Sequence, residues 1–330
     1  MSIVPAVANS LSPFMGNITF RSSRSCEKTM RSQFYKHLAA LRLKKSTIAA
    51  IILSILCLPL TGMRNSSLAQ DQTRPNYEVY ALSYGVYPDF PVSALLTGAD
   101  KTRKIDLQMM IWLIKGPGGK NILVDTGCYH ENVVKGKGIR DLIKASDAIA
   151  KLGLSATDIT DVIITHMHWD HADGMDLFPN AKIWIQKDEY GYYTGAAWQA
   201  GGKSGGIEPD DVLTIVKLNT AHKVNLVDGD DREIIDGIKV YTGGRHTFAS
   251  QYVSVRTASA TVVIASDNMY LYENLEKHAP IAQTFDAESN LKAQDRMKQI
   301  ASRPDLIVPG HDPMVFVKFP KPGNGVARIQ

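Results

Sequence analysis

Three histidines and one aspartate, His166, His168, Asp170 and His171, stand within six consecutive residues of this chain. Imidazole nitrogens and carboxylate oxygens are the ligands that first-row divalent ions prefer, zinc above all. The apolar residues 162–164 precede the motif and predict a strand, in which His166 and His168 project to the same side. The turn that follows aims Asp170 and His171 at a neighbouring position. Because so short a segment cannot bring four ligands onto one ion, the motif predicts two adjacent metals sharing one loop.

Two metals need more ligands than this loop offers, and three later residues fit that need. His246, Asp267 and His311 each follow a strand-like apolar run, so a rigid scaffold would present each side chain at a strand end. A lone histidine is usually an ordinary surface or core residue, and the HxHxDH motif is what favours the ligand interpretation here. The other histidines after residue 100 lack such a context and are interpreted as solvated: His130, His222 and His278.

The order of these motifs resembles that of the metallo-β-lactamase superfamily. The matching residues are Val-Asp-Thr-Gly at 124–127, the HxHxDH motif, His246, Asp267 and Gly310-His311. The resemblance implies a first metal on His166, His168 and His246, a second on Asp170, His171 and His311, and Asp267 bridging both. It implies that Asp125 braces the site without binding metal. One departure from the family is the segment at 244–249, Gly-Arg-His-Thr-Phe-Ala, whose bulky residues would reshape one wall of the site.

Strand-like runs alternate with helical patterns after residue 76. Strands are predicted at 77–84, 108–115, 120–125, 161–165, 182–186, 238–242, 251–256 and 260–266, and helices at 139–152 and 287–302. A Ser155-x-x-Asp158 capping box opens a further turn. Strand runs with interspersed helices predict an α/β chain of layered sheets covered by helices. The resemblance implies the specific form, a four-layer αββα sandwich with the metals at one edge. The glycine-rich residues 201–206 are interpreted as a mobile loop.

Residues 1–69 have the outline of a signal peptide. Basic residues precede the apolar run 48–60, small residues follow near position 69, and the run is shorter than the roughly 20 residues that span a membrane. We therefore expect a leader at 1–69, a hydrolase domain at 70–330, a secreted or periplasmic location and no stable membrane insertion after cleavage. The leader holds nine of 37 basic and one of 33 acidic residues, so the remainder has a net charge of −4, which argues against nucleic acid as a partner.

The chemistry implied is hydrolysis of an ester or lactone. Two divalent ions, zinc foremost, would lower the pKa of a bridging water from 15.7 toward ~7, and the bridging hydroxide would attack the carbonyl carbon. Asp170 would carry the proton to the leaving oxygen. Tyr270 stands three residues after Asp267, the offset that N-acyl-homoserine lactonases show for a carbonyl-contacting tyrosine, although a half-buried core tyrosine fits the spacing too. Trp169 would line an acyl-chain pocket or pack beneath the loop. Cys128 is interpreted as a buried packing residue.

Other branches of the superfamily fit less well. β-Lactamases proper usually lack a histidine at the position of His171 and often have a cysteine as the bridging ligand. Glyoxalase II-like enzymes need a helical C-terminal extension, which fits poorly because only 19 residues follow His311. Flavodiiron-type members need a flavin domain, and RNA-processing members bring basic surfaces. The leading hypothesis is a dinuclear zinc lactonase that opens N-acyl-homoserine lactones and so quenches quorum sensing. The alternatives are a hydrolase of another small lactone or ester, such as a pyridoxolactone, and a non-catalytic sensor that uses the same fold.

Overall fold

The computed structural model describes residues 76–330 of the chain. The strands in this part are β1 Glu78–Pro91, β2 Lys104–Lys115, β3 Asn121–Val124, β4 Asp161–Ile163, β5 Lys182–Gln186, β6 Val224–Val227, β7 Arg232–Ile235, β8 Ile238–Tyr241, β9 Tyr252–Arg256, β10 Thr261–Ser266, β11 Ile307–Pro309 and β12 Val326–Arg328. The α-helices are α1 Glu131–Val134, α2 Ala145–Ala150, α3 Trp169–Ala172, α4 Lys187–Tyr193, α5 Pro209–Thr220, α6 Tyr272–Glu276, α7 Ala287–Ile300 and α8 Val315–Lys318.

The strands form two sheets. The seven-stranded sheet has the order β12-β1-β2-β3-β4-β5-β6, antiparallel from β12 to β3 and parallel from β3 to β6. The five-stranded sheet has the order β11-β10-β9-β8-β7, in which only the β10–β11 pair is parallel. Strand β2 is buried on both faces and therefore reads as a nearly continuous apolar run, as expected of a strand inside a layered fold.

The sheets pack face to face through one apolar layer. Alternate residues of β2, Met110, Trp112 and Ile114, point into it and share a buried cluster with Val240, Val253 and Ile264 of the five-stranded sheet. Leu107, Met109, Ile111 and Leu113 of β2 point the other way, because successive side chains of a strand alternate between faces. This inter-sheet layer makes the two sheets one core.

Helices cover the outer faces of both sheets. Ala148 and Ile149 of α2 pack with Met109 and Ile111 on the outer face of the seven-stranded sheet. Met297 of α7 packs with other buried apolar residues against the five-stranded sheet. The layers therefore run helix, sheet, sheet, helix, which confirms the predicted αββα sandwich.

The predicted elements agree with the structure in place more than in number or in their ends, since eight strands and two helices were predicted and the described residues form twelve strands and eight α-helices. Strand β5 has the predicted bounds, whereas β1 continues to Pro91, seven residues beyond its prediction. The helix predicted at 139–152 was too long, since only Ala145–Ala150 is helical. The Ser155 box is present, with the Asp158 carboxylate accepting from the Ser155 amide at 2.8 Å.

The leader prediction falls outside the described residues, as does its boundary with the hydrolase domain. Within residues 76–330, none of the helices has the length and apolar character that crossing a membrane requires.

Candidate metal centre

Strand ends from both sheets place the seven predicted ligands at one edge of the sandwich. His166 and His168 lie in the loop after β4 of the seven-stranded sheet, and Asp170 and His171 lie in the short helix α3 that follows. The other three come from the five-stranded sheet, with His246 after β8, Asp267 directly after β10 and His311 just after β11. The structure thus brings all seven side chains together, and five of them are buried while His168 and Asp170 are half-buried.

Asp267 stands between two groups of ligand atoms. Its Oδ2 lies 3.3 Å from Nε2 of His246 and 3.8 Å from Nε2 of His166. Its Oδ1 lies 3.1 Å from Nε2 of His311 and 3.3 Å from Nε2 of His171. One carboxylate oxygen therefore faces each group, which is the arrangement that a bridging ligand requires.

The first group consists of His166, His168 and His246 with Oδ2 of Asp267. Nδ1 of His168 lies 3.1 Å from Nε2 of His166 and 2.8 Å from Nε2 of His246. Nδ1 of His246 donates to the carbonyl oxygen of Gln283 at 3.0 Å, which leaves the lone pair of its Nε2 directed into the group. Three ring nitrogens therefore converge on one point.

The second group consists of Asp170, His171 and His311. Oδ2 of Asp170 lies 3.5 Å from Nε2 of both histidines. The two rings are oriented through their other nitrogens, because Nδ1 of His171 bonds to Asp125 at 2.8 Å and Nδ1 of His311 to the carbonyl oxygen of Gln108 at 2.9 Å. Their Nε2 atoms thus face the space beside Asp267.

Asp125 makes the bracing contacts that the resemblance implied. Besides His171, its carboxylate accepts hydrogen bonds from the amide and the hydroxyl of Thr165, both at 2.8 Å, and from the Ser266 hydroxyl at 3.1 Å. It is fully buried and its φ of 63° is unusual for a residue other than glycine. Asp125 therefore ties β3 to the segments that carry His166 and Asp267.

The protonation of the first group suits metal binding. Burial, together with the neighbouring imidazoles, lowers the pKa of His166 well below its usual value and that of His168 to about 3. Both rings are therefore neutral at pH 7, the form that coordinates a cation. Burial raises the pKa of Asp267, but the adjacent His311 and His171 outweigh it and hold that carboxyl ionised.

Two buried atoms at the centre of the site have no hydrogen-bond partner among the described residues. They are Nε2 of His171 and Oδ1 of Asp267, which face each other across 3.3 Å. Buried polar groups are normally paired, because leaving one unsatisfied costs about 1–3 kcal/mol. Divalent cations would satisfy both atoms, and a donor set of imidazoles and carboxylates suits such ions. The residues present therefore fit the implied metals.

A cavity of about 200 Å³ opens beside the metal ligands. His168, Asp170, Asp267 and His311 line its floor, and the hydroxyl-bearing Tyr270 stands with them. Its apolar wall is formed by Tyr87, Phe90, Leu95, Leu107, Met109 and Trp169. Trp169 is half-buried in this wall, as one of its two predicted placements required.

Tyr270 is buried beside the first group. Its hydroxyl lies 3.3 Å from Nδ1 of His246, and its ring centroid lies 5.9 Å from that of His311. Burial, with the charges of Asp267 and Asp170, raises the pKa of Tyr270 well above its usual value. The hydroxyl therefore keeps its proton and remains a donor at the cavity floor.

The unusual segment around His246 builds an aromatic cluster away from the cavity lining. Phe248 stacks on Tyr192 with ring centroids 4.0 Å apart, and Arg245 lies over the Phe248 ring at 5.3 Å. Phe248 does not belong to the described residues that line the cavity. The bulky residues of segment 244–249 thus pack outside the set of residues that line the cavity.

Several residues that hold the site were missed in the sequence. Glu189, Tyr84 and the backbone of Gln283 all contact ligand-bearing loops, but a single buried glutamate or tyrosine carries no local motif. Met109 is fully buried in the apolar core and also lines the cavity. These contacts are long-range, so sequence spacing gave no signal for them.

Cys128 and three further histidines can be compared with their interpretation from the sequence. Cys128 is buried, and burial raises the pKa of its thiol well above the usual value, which suits packing and opposes a nucleophilic role. His222 and His278 are exposed as predicted, whereas His130 is half-buried with Nδ1 2.6 Å from Oδ1 of Asp173. The His130 side chain is nonetheless 42% exposed, so its interpretation as solvated holds in part.

The fold, the ligand set and a family match together define the class of protein. Residues 106–311 match the family described as the metallo-beta-lactamase superfamily, and the chain belongs to that superfamily. With the two groups of ligand atoms, this membership identifies the chain as a metal-dependent hydrolase.

The chain is similar in sequence to curated N-acyl homoserine lactonases. The chain is 27% identical over 224 residues to an N-acyl homoserine lactonase of Bacillus cereus, covering 63% of this chain and 82% of that protein. It is 28% identical over 180 residues to the N-acyl homoserine lactonase AttM of Rhizobium radiobacter, covering 53% of this chain and 66% of that protein.

Solved structures show the same fold. An N-acyl homoserine lactone hydrolase with N-hexanoyl-L-homoserine at its catalytic metal center superimposes with a TM-score of 0.60 at 22% identity, covering 74% of this chain and 96% of that chain. AidC, a dizinc quorum-quenching lactonase, gives a TM-score of 0.57 at 20% identity, covering 72% of this chain and 88% of that chain.

Proposed function

We propose that this protein is a dinuclear zinc lactonase that opens the ring of N-acyl-homoserine lactones. The observation that carries the proposal is the cavity, where two groups of metal ligands and a tyrosine hydroxyl face a wall of apolar side chains. An acyl chain suits that wall, and a polar lactone head suits the floor. The curated relatives support the same substrate class.

The side chains of the chain divide the chemistry between them. Bound divalent cations supply Lewis acidity, which lowers the pKa of water and polarises an ester carbonyl. Burial raises the pKa of Asp170, but the adjacent His171 and His311 lower it by more. The net effect is a lowered pKa that keeps the carboxylate ionised. Asp170 lines the cavity, so its carboxylate can accept the proton of the attacking water and pass it to the leaving ring oxygen.

Tyr270 supplies a hydrogen bond to the carbonyl oxygen as negative charge develops there. Its retained proton and its place at the cavity floor suit this role. A donor aimed at a developing oxyanion contributes about 2.7–4 kcal/mol to transition-state stabilisation. Trp169 and the other apolar residues of the wall exclude water from the acyl chain.

The composition of the cavity wall favours an acylated lactone over a heterocyclic one. None of the described residues that line it is lysine or arginine, and six of them are apolar or aromatic. A polar heterocyclic lactone such as a pyridoxolactone finds few partners on such a wall, whereas an acyl chain gains by burial.

The test is ring opening of N-hexanoyl- and N-decanoyl-homoserine lactone by the purified protein with zinc supplied, followed as acid release. We expect rapid opening that a chelator abolishes and zinc restores. Opening of unacylated lactones or simple esters alone would move the assignment to another small-ester hydrolase. A folded protein that binds no zinc would favour the sensor.

We also propose that the protein is exported and loses its leader near residue 69. The basic and apolar pattern of residues 1–69 supports this proposal. Cell fractionation with N-terminal sequencing tests it: we expect the protein outside the cytoplasm with a new N-terminus close to Gln70. An intact N-terminus on a cytoplasmic protein would contradict export.

A further inference from the structure

A buried glutamate lies between the two loops that carry the first group. Glu189 is the third residue of α4, and it has no exposed surface. Its Oε1 accepts hydrogen bonds from the amide of Met167 at 3.1 Å and from the hydroxyl of Thr247 at 2.6 Å. Its Oε2 accepts from the amide of Ala249 at 2.7 Å.

These three donors flank the histidines of the first group. Met167 stands between His166 and His168, and Thr247 directly follows His246. The first two histidines follow a strand of the seven-stranded sheet, and His246 follows a strand of the five-stranded sheet. Glu189 thus contacts ligand-bearing backbone from both sheets at once.

Burying a carboxylate is unfavourable unless its oxygens are hydrogen-bonded. Burial raises the pKa of Glu189 to about 7, against the hydrogen bonds from Thr247, Ala249 and Met167, which lower it. A neutral or apolar side chain at this position would avoid that desolvation penalty. What the carboxylate offers at this position is its geometry, because its two oxygens accept hydrogen bonds from both loops at once.

We propose that Glu189 is the positioning residue of the first group, fixing the separation between the loop of His166 and His168 and the loop of His246. Its carboxylate hydrogen-bonds to Met167, Thr247 and Ala249 and not to the three imidazoles, so it acts through the residues beside them. The second group has its own supports, Asp125 and the Gln108 carbonyl, so a change at Glu189 affects the two groups unequally. This inference rests on the metal ligands assigned under the proposed function.

The test is zinc binding by the full protein and its Glu189→Gln variant, measured by competition with a chromophoric chelator. A glutamine amide has only one acceptor oxygen, so its NH₂ group would meet the amide of Ala249, donor against donor. We expect one of the two zinc affinities to fall about 10–100-fold, the range for residues that orient metal ligands, and the other to change little. The visible spectrum of the cobalt-loaded variant should change for one ion only.

Two further variants keep the result interpretable. Asp188→Asn alters an exposed carboxylate in the same turn of α4 and should bind both ions like the unaltered protein. Thr247→Val removes a single hydrogen bond to Glu189 and should lower the affinity for the same ion to a smaller extent. This variant tests the inference if Glu189→Gln fails to fold. Unchanged zinc affinities in Glu189→Gln and Thr247→Val, or an equal loss at both sites in either variant, would overturn the inference. An unaltered protein that binds no zinc would overturn the proposed function instead.

Discussion

At the residue scale, Tyr270 tests whether the cavity floor takes part in the chemistry. Tyr270→Phe removes the hydroxyl beside His246 and leaves the seven ligand side chains intact. We expect two zinc ions to remain bound and kcat to fall about 10²–10³-fold, as for loss of one oxyanion donor. Metal analysis and lactone turnover measure the two quantities separately.

Tyr272→Phe is the matched control for that variant. Tyr272 is also buried, but it packs in the inter-sheet core and does not line the cavity. We expect its turnover to match that of the unaltered protein. Full activity of Tyr270→Phe would remove the hydroxyl from the mechanism and leave Tyr270 a packing residue.

A buried aspartate away from the cavity sets a pH dependence of stability. Burial, followed by the charge of Asp173, raises the pKa of Asp211 to about 8, far above the unfolded value of about 4. Between those two values the folded state holds a proton that the unfolded state has lost. The stabilisation is therefore fully present below about pH 4 and is lost as pH rises toward 8, by at most about 1.4 kcal/mol per pH unit.

Asp211→Asn should remove this contribution to the slope. We expect the variant to lose less stability than the unaltered protein between pH 5 and pH 8, measured by urea unfolding at each pH. Asp210→Asn is the control, because Asp210 is exposed in the same first turn of α5. Equal slopes in the two variants would contradict a proton held by Asp211.

At the scale of elements, the glycine-rich loop packs directly on a metal ligand. Gly206 has φ of +79°, its carbonyl accepts from the Trp169 amide at 2.9 Å, and a Cβ on it would lie 2.8 Å from Cδ2 of His168. Gly206→Ala should displace that imidazole and weaken zinc binding by the first group at least about tenfold. The zinc affinities of the variant, measured by chelator competition, check this.

Gly205→Ala provides the comparison. A Cβ at Gly205 meets no atom within 4 Å, although this residue also lines the cavity. We expect unchanged zinc affinity there. If both variants bind zinc equally well, the loop does not position His168.

The positions of the secondary-structure elements around the site show how much of it the sequence could predict. The ligand histidines follow strands whose apolar runs are plain, so their common edge was predictable from residues alone. The helix predicted at 139–152 is shorter in the structure, because the residues before it pair with β1. Arg140 pairs with Val86, and the Ile143 amide donates to the Tyr84 carbonyl. That extended pairing depends on the second half of β1, where Pro88 and Asp89 suggest a turn and a register shift accommodates them. Tyr87 and Phe90 reach the cavity through this strand, so the apolar wall could not be predicted.

At the scale of the whole molecule, the four-layer arrangement follows from burial on both faces of the sheets. Strand β2 contributes to the inter-sheet layer and to the helix-covered layer alternately. Local periodicity predicts strands and helices but not which sheet a strand joins. The sheet depends on pairings between residues far apart in the sequence, such as Tyr80 of β1 with Arg328 of β12. The resemblance of the motifs supplied this information, and the family match confirms it.

Metal binding should stabilise the whole sandwich, because the ligands come from both sheets. One strand of the seven-stranded sheet and three of the five-stranded sheet end at the two groups, so bound ions would join the sheets at that edge. A ligand that binds only the folded state adds about 4 kcal/mol when present at 1,000 times its Kd. For a domain of this size we expect chelation to lower Tm by roughly 10 °C and zinc to restore it. Calorimetry with and without chelator measures the shift, and a His246→Ala variant, which lacks one ligand of the first group, should show a smaller one. An unaltered Tm after verified zinc removal would mean that the two sheets hold this edge together by packing alone.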